Sequence, residues 1–272
     1  LPIAREQRIP IVVHFHGLDL SSSLYNRWYR WSLLLALKNF SEIVVVGSHQ
    51  KKWVIKHGVP ENRVHLIPCG VPTQIFKYKV RQLSKKIQFI CVCRLVESKG
   101  VEYCIRAFAQ VLKEIGDGRL LIVGGGPLQL KLEALSHWLG LNKYITFTGP
   151  VFPNKVIEYL AESDIFVQHS VFASDGSVEG FGVSIAEAAA TGLPVVSTRC
   201  GGIEDQVIDK KTGFLVEQRD VNAMANCMVR LALDPALRKK IGKAGREHMV
   251  ASFDAQKQIS KLESVLLDCY RK

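Results

Sequence analysis

Residues 87–115 read I-Q-F-I-C-V-C-R-L-V-E-S-K-G-V-E-Y-C-I-R-A-F-A-Q-V-L-K-E-I. The first seven residues are almost continuously apolar, as in a strand covered on both faces. From Lys99 to Ile115 the apolar positions change period. Val101, Cys104, Ile105, Phe108, Val111, Leu112 and Ile115 fall on one face of a helix. Arg119–Val123 is again a short apolar run. Strand, helix and strand in this order predict a parallel crossover unit.

The same alternation extends in both directions. Towards the N-terminus, strands are expected at Ile9–Phe15, Glu42–Val46 and His65–Pro68, with helices at Ser23–Phe40 and Ser48–His57. Towards the C-terminus, strands at Ile145–Phe147, Asp164–Gln168, Pro194–Ser197 and Gly213–Val216 alternate with helices. Three helices close the chain, at Val221–Leu233, Pro235–Val250 and Ala255–Tyr270. Val71–Lys86 is polar, basic and aperiodic, and reads as a linker. The expected class is therefore α/β, with doubly wound parallel sheets in two lobes. The first lobe spans 1–72 and holds only two or three strands. The second, 73–250, is long enough for a complete domain, and 251–272 is a final helix.

Composition narrows the function classes. The chain has 272 residues, 47% of them hydrophobic and 22% charged, which is ordinary for a globular protein. No apolar run reaches the ~18–20 residues of a membrane span. The seven cysteines form no C-x-x-C pair and no Cys–His cluster with zinc spacing. They read as reduced core thiols of a cytoplasmic protein. The net charge is +11, and Lys and Arg exceed Asp and Glu in the first lobe. That excess suits phosphate-bearing partners. Nucleic acid is not expected, because no binding motif accompanies the charge. Two readings of the Arg- and Trp-rich Tyr25–Leu37 stay open: an ordinary helix on a sheet, or a helix lying on an anionic membrane surface.

In open parallel sheets, ligands sit at the carboxyl ends of the strands. Arg94 ends the 87–93 strand and Lys99 opens the next helix. Two cations beside free helical N–H groups suit a diphosphate. The stretch Glu179-Gly-Phe-Gly-Val-Ser-Ile-Ala-Glu187 follows another strand and loop. Phe181, Gly182 and Val183 would start a helix there, aiming N–H groups into the cleft. Ser184 and Glu187 share one helix face. Glu179 and Glu187 make sense as acceptors for sugar hydroxyls while the cations meet the phosphates. Val151, after the 145–147 strand, reads either as a backbone contact to a base or as part of a plain turn. His16 ends the first strand and is followed by Gly17 and Asp19. A structural role and a catalytic one are evenly matched there. Gly124-Gly-Gly-Pro127 lacks the G-x-G-x-x-G order, which argues against a nicotinamide-dependent oxidoreductase.

Glu179–Glu187 resembles the E-x7-E motif of retaining glycosyltransferases of family 4, which have the GT-B fold. A-A-A-T-G-L-P-V-V-S-T, G-G-I-E-D-Q-V and T-G-F-L-V continue the match. Upstream G-S-H-Q, I-P-C-G-V, R-L-V-E-S-K-G and V-G-G-G-P-L fit in family order. The start, H-F-H-G-L-D, resembles members that build exopolysaccharides of the colanic-acid type. The resemblance implies two Rossmann-like domains facing a cleft, with a UDP-sugar or GDP-sugar as donor and a glycan or lipid-linked molecule as acceptor. It implies that Arg94 and Lys99 bind the diphosphate, Glu187 the ribose and Glu179 the transferred sugar. Phe181, Gly182, Val183 and Ser184 would hold sugar and phosphate, with His16 near donor sugar and acceptor. No cofactor and no metal is implied. A place in the cytoplasm, peripheral on the inner face of the plasma membrane, would follow. The glycine-rich loop and further strands with which the family's first domain begins are absent from this sequence, whose first methionine is Met224. A non-catalytic nucleotide-sugar-binding fragment is therefore the competing expectation.

Overall fold

The computed structural model describes residues 6, 7, 9–79 and 86–271. The strands are β1 (Val12–Phe15), β2 (Glu42–Val45), β3 (Val64–Leu66), β4 (Ile87–Val92), β5 (Gly118–Val123), β6 (Ile145–Phe147), β7 (Ile165–Val167), β8 (Val195–Thr198) and β9 (Gly213–Val216). All pairings between them are parallel. One sheet has the order β1-β2-β3 and the other β6-β5-β4-β7-β8-β9. In the larger sheet the order reverses between β4 and β7, the place where doubly wound folds open a ligand crevice.

Burial explains the apolar runs. β7, β8 and β9 are buried at every position. Helix α3 (Val101–Ile115) lays Cys104, Ile105, Phe108 and Val111 on β4 and β5, where the Phe108 ring meets Phe89 edge-on at 5.6 Å. On the other sheet face, Ile185, Ala186 and Ala189 of α6 (Val183–Ala190) enter a second core. The first lobe has its own core around Leu33, Leu37, Ile43 and Val45.

Three expectations shift. The first strand begins at Val12, not Ile9, since Pro10 has no N–H for a ladder. The Ser23–Phe40 helix divides into a 3-10 turn at Ser22–Tyr25 and α1 (Arg27–Leu37), because Asn26 caps a new start. Its side chain accepts from Trp28 N–H at 3.0 Å and Tyr29 N–H at 3.2 Å. The stretch read as a linker is bound along its first part. Val71 exchanges backbone hydrogen bonds with Phe253 and Ala255. Arg246 Nη1 donates to the carbonyls of Thr73, Phe76 and Ala190. Residues 80–85 of that stretch lie outside the described residues. The last helices are α8 (Val221–Leu233), α9 (Pro235–Ser252) and α10 (Ala255–Arg271).

Candidate active site

The carboxyl ends of β4 and β7 deliver the residues of the cleft. Arg94, just after β4, is exposed and makes no ion pair among the described residues. Lys99 stands in the 3-10 turn Glu97–Lys99 that precedes α3, and its Nζ is paired with Glu179. Helix α6 begins at Gly182, whose φ of 78° is left-handed, and no side chain caps it. Its first N–H groups are thus left for a ligand.

A buried network stands under this helix start. Glu179 Oε2 accepts from Lys99, from Gln168 Nε2 at 3.1 Å and from Ser170 Oγ at 3.4 Å. Gln168 turns its other end to α6, where Oε1 accepts from Ser184 Oγ at 3.2 Å. Ser197 Oγ, at the end of β8, fixes the Gln168 carbonyl at 2.7 Å. Gln168 and Ser170 are fully buried. Both escape sequence reading, since only the folded crossover brings β7, β8 and α6 together. Their one signal is position, immediately beyond a strand.

Next to them His169 is a neutral, structural imidazole. Its Nε2 accepts from Arg219 N–H at 2.7 Å, so the proton lies on Nδ1, which faces the Met224 sulfur at 3.0 Å. Burial pushes its pKa down to about 4.

Two adjoining cavities occupy the cleft. The inner one, about 470 Å³, is lined by Arg94, Lys99, Phe181, Val183, Ser184 and Glu187 among others. The outer one, about 560 Å³, reaches from Arg94 and Glu179 to Asp19 and Asp175. His16, Arg94, Lys99, Glu179 and Gly180 line both. Burial pushes the Glu187 carboxyl up to about 7. His16 Nδ1 lies 4.0 Å from Cys69 Sγ, and its ring stands 4.1 Å from His14. Of the residues singled out in the sequence, Val151 is the one not gathered here. It lines neither cavity and packs against the second core.

The cleft thus combines cations, a helix start and hydroxyl-accepting carboxylates. Residues 73–248 match the family model for glycosyl transferases group 1, and residues 1–75 match the one for glycosyltransferase family 4. The chain belongs to the group 1, family 4 glycosyltransferases. A GDP-mannose-dependent alpha-(1-6)-phosphatidylinositol monomannoside mannosyltransferase of Mycobacterium tuberculosis is 30% identical, over 97% of this chain and 70% of that protein. The putative colanic acid biosynthesis glycosyltransferase WcaL of Escherichia coli is also 30% identical, over 94% of this chain and 64% of its own length. Among solved structures, Anabaena Alr3699/HepE in complex with UDP and glucose superposes with a TM-score of 0.83 at 22% identity, over 97% of this chain and 73% of that one. The fold of this glycosyltransferase is accordingly GT-B, and its class of activity is glycosyl transfer.

Proposed function

We propose that this glycosyltransferase takes a sugar from a nucleoside diphosphate sugar, UDP- or GDP-linked, and passes it with retained configuration to a glycan or lipid-linked acceptor of a cell-surface polysaccharide. The observation that carries this is the Arg94–Lys99–Glu179 constellation at the start of α6. The relatives named for mannosyl transfer and colanic acid synthesis favour the same reading.

Arg94, Lys99 and the N–H groups at Phe181, Gly182 and Val183 meet the diphosphate, with Ser184 beside them. Glu187 accepts from the ribose hydroxyls, and Glu179 from hydroxyls of the transferred sugar. His16 stands where donor sugar and acceptor meet, and Val151, which lines neither cavity, is given no part. As the bond from the anomeric carbon to the diphosphate oxygen breaks, the acceptor oxygen bonds to that carbon on the same face. The acceptor proton goes to the departing phosphate oxygen. Arg94 and Lys99 stabilise the charge that develops there. Neither a metal nor a cofactor is assigned a part.

The cell-surface acceptor places the enzyme on the inner face of the plasma membrane. Tyr25, Trp28 and Trp31 are exposed beside Arg27 and Arg30, a surface suited to anionic lipid. No helix among the described residues is long and apolar enough to cross a membrane.

A donor panel of radiolabelled UDP- and GDP-sugars with membrane extract as acceptor tests the reaction. We expect transfer by the wild type and a loss of at least about a hundredfold in Glu179→Ala, with nucleotide affinity nearly unchanged. Nucleotide binding without transfer from any donor decides for a binding protein instead.

A further inference from the structure

The outer cavity has a second end, beyond the residues assigned above to the donor. Beyond Glu179 it is enclosed by residues of the His16–Ser22 stretch from the first lobe and of Ala173–Val178 from the second. Two contacts between the lobes bound it. A Cβ on Gly180 would stand 2.5 Å from the His16 carbonyl oxygen. A Cβ on Gly176 would run into the Tyr25 ring. The lobes therefore touch backbone to backbone at Gly180 and backbone to ring at Gly176.

The loop that forms one wall is held in place. Ser174 donates to Glu97 from its N–H at 3.0 Å and its hydroxyl at 2.6 Å. Phe172 N–H donates to Gln218 at 2.8 Å. This fixes Asp175, whose Oδ1 accepts from Ser177 N–H at 2.8 Å. The bonds from Ser177 hold its carboxyl below the usual range. Across the cavity, Asp19 Oδ2 accepts from His16 N–H at 3.0 Å. Each carboxylate has a second oxygen beyond these bonds, and an ionised carboxyl is an acceptor only. Of the cations that line the cavity, Arg94 and Lys99, both stand at the inner end, and Lys99 is taken by Glu179. The outer end holds carboxylates, hydroxyls and the half-exposed Leu18.

We propose that this outer end is the acceptor subsite, and that Asp19 and Asp175 select an uncharged sugar there over a phosphorylated or carboxylated one. The proposal rests on the reading of the chain as a transferase acting from a nucleotide sugar. Hydroxyl donors of a neutral sugar satisfy the two carboxylates from opposite sides, and Leu18 offers an apolar surface for ring C–H groups. An anionic group at the same place meets like charge with no Lys or Arg among the described residues of that end to offset it.

Ligand-observed NMR on the full chain tests this without requiring turnover. The probes are the methyl glycosides of glucose, mannose and galactose, each paired with the matching methyl uronide, which differs only at C6. At least one neutral glycoside binds, and its uronide binds roughly tenfold more weakly or not at all. Asp19→Asn with Asp175→Asn narrows that ratio by about the same factor. Asp175 lies on an exposed loop and Asp19 is half-buried in the 3-10 turn Leu18–Leu20, so a thermal melt of the double variant checks that the fold is kept. Uronides binding as well as glycosides, a ratio unmoved by the double variant, or no glycoside binding at all would overturn the assignment. UDP and GDP affinities on the same samples report the donor reading separately. Intact nucleotide binding beside any of these failures overturns the acceptor subsite alone.

Discussion

Glu187 stands in the second turn of α6, half-buried, and desolvation pushes its pKa up to about 7. In the unfolded chain it titrates near 4.5. Between these values the folded state holds a proton that the unfolded state has lost. The contribution to stability is therefore complete below 4.5 and is lost as pH rises through about 7. One pKa unit is ~1.4 kcal/mol, so the loss is at most about 3.5 kcal/mol. Glu187→Gln stays neutral, and urea unfolding at pH 5 and pH 8 should show the decline in the wild type and its absence in the variant. The proposed ribose contact adds a second effect. Hydroxyls donating to Glu187 favour its ionised form, so nucleotide affinity should rise with pH through the same window in the wild type only. A stability difference between pH 5 and 8 that is the same in both proteins contradicts the burial argument.

The residues at this scale divide by how their roles are encoded. The positions of Arg94 and Lys99, after a strand and before a helix, are legible from spacing, whereas the parts expected of Glu179, Ser184 and Glu187 come from the resemblance to the E-x7-E motif. Gln168 and Ser170 are legible from neither. An uncharged side chain after a strand has many ordinary uses, and theirs depends on Glu179 arriving from the loop before α6 and Ser184 from α6 itself. Asp19 and Asp175 gain meaning only from a cavity between the lobes.

At the scale of elements, α1 meets one of the two readings that its sequence leaves open, an ordinary helix on a sheet. Leu33 and Leu37, one turn apart, pack into the first core. Trp28 and Trp31 meet edge-on at 6.5 Å and remain 79% and 60% exposed. The helix thus packs on the sheet and still presents an aromatic, basic surface. Sedimentation with vesicles should show binding to anionic phosphatidylglycerol vesicles that salt weakens, and Trp28→Ala with Trp31→Ala should reduce it by at least about tenfold. Equal binding to neutral vesicles, or none to either, contradicts the membrane reading of this face.

The strands were legible for a different reason. Sheets covered on both faces need unbroken apolar runs, and Ile87–Cys93 or Glu42–Val46 can hardly be read otherwise. Element ends were less legible because local polar groups decide them, as Asn26 does by dividing one expected helix into two pieces.

Across the whole molecule, the passage from the first lobe to the second is fastened to the C-terminal helices. Arg246 Nη1 serves three carbonyls, at 3.0 Å to Thr73, 2.6 Å to Phe76 and 2.8 Å to Ala190. Thr73 Oγ1 donates to Asp254 at 2.5 Å, between α9 and α10. Polar composition alone made this stretch read as a linker, because the groups that bind it, the Arg246 and Asp254 side chains and the backbone of Phe253 and Ala255, lie far along the chain. Arg246→Ala leaves three carbonyls without that donor. It should cost about 2–4 kcal/mol in chemical denaturation, with an effect below about 0.5 kcal/mol contradicting the role. The GT-B frame sets the β4–β7 reversal of the larger sheet against the β1 end of the smaller one, and so places both cavities between lobes.

The central claim is that the cleft at Arg94 and the α6 start holds a nucleoside diphosphate. Calorimetry of the full chain with UDP and with GDP tests it most directly. The account predicts saturable binding of at least one of them. It also predicts a weakening of about tenfold or more in Arg94→Ala, where a charge-assisted contact worth ~1.5–3 kcal/mol is lost. Binding of neither nucleotide, or binding that Arg94→Ala leaves unchanged, would contradict it.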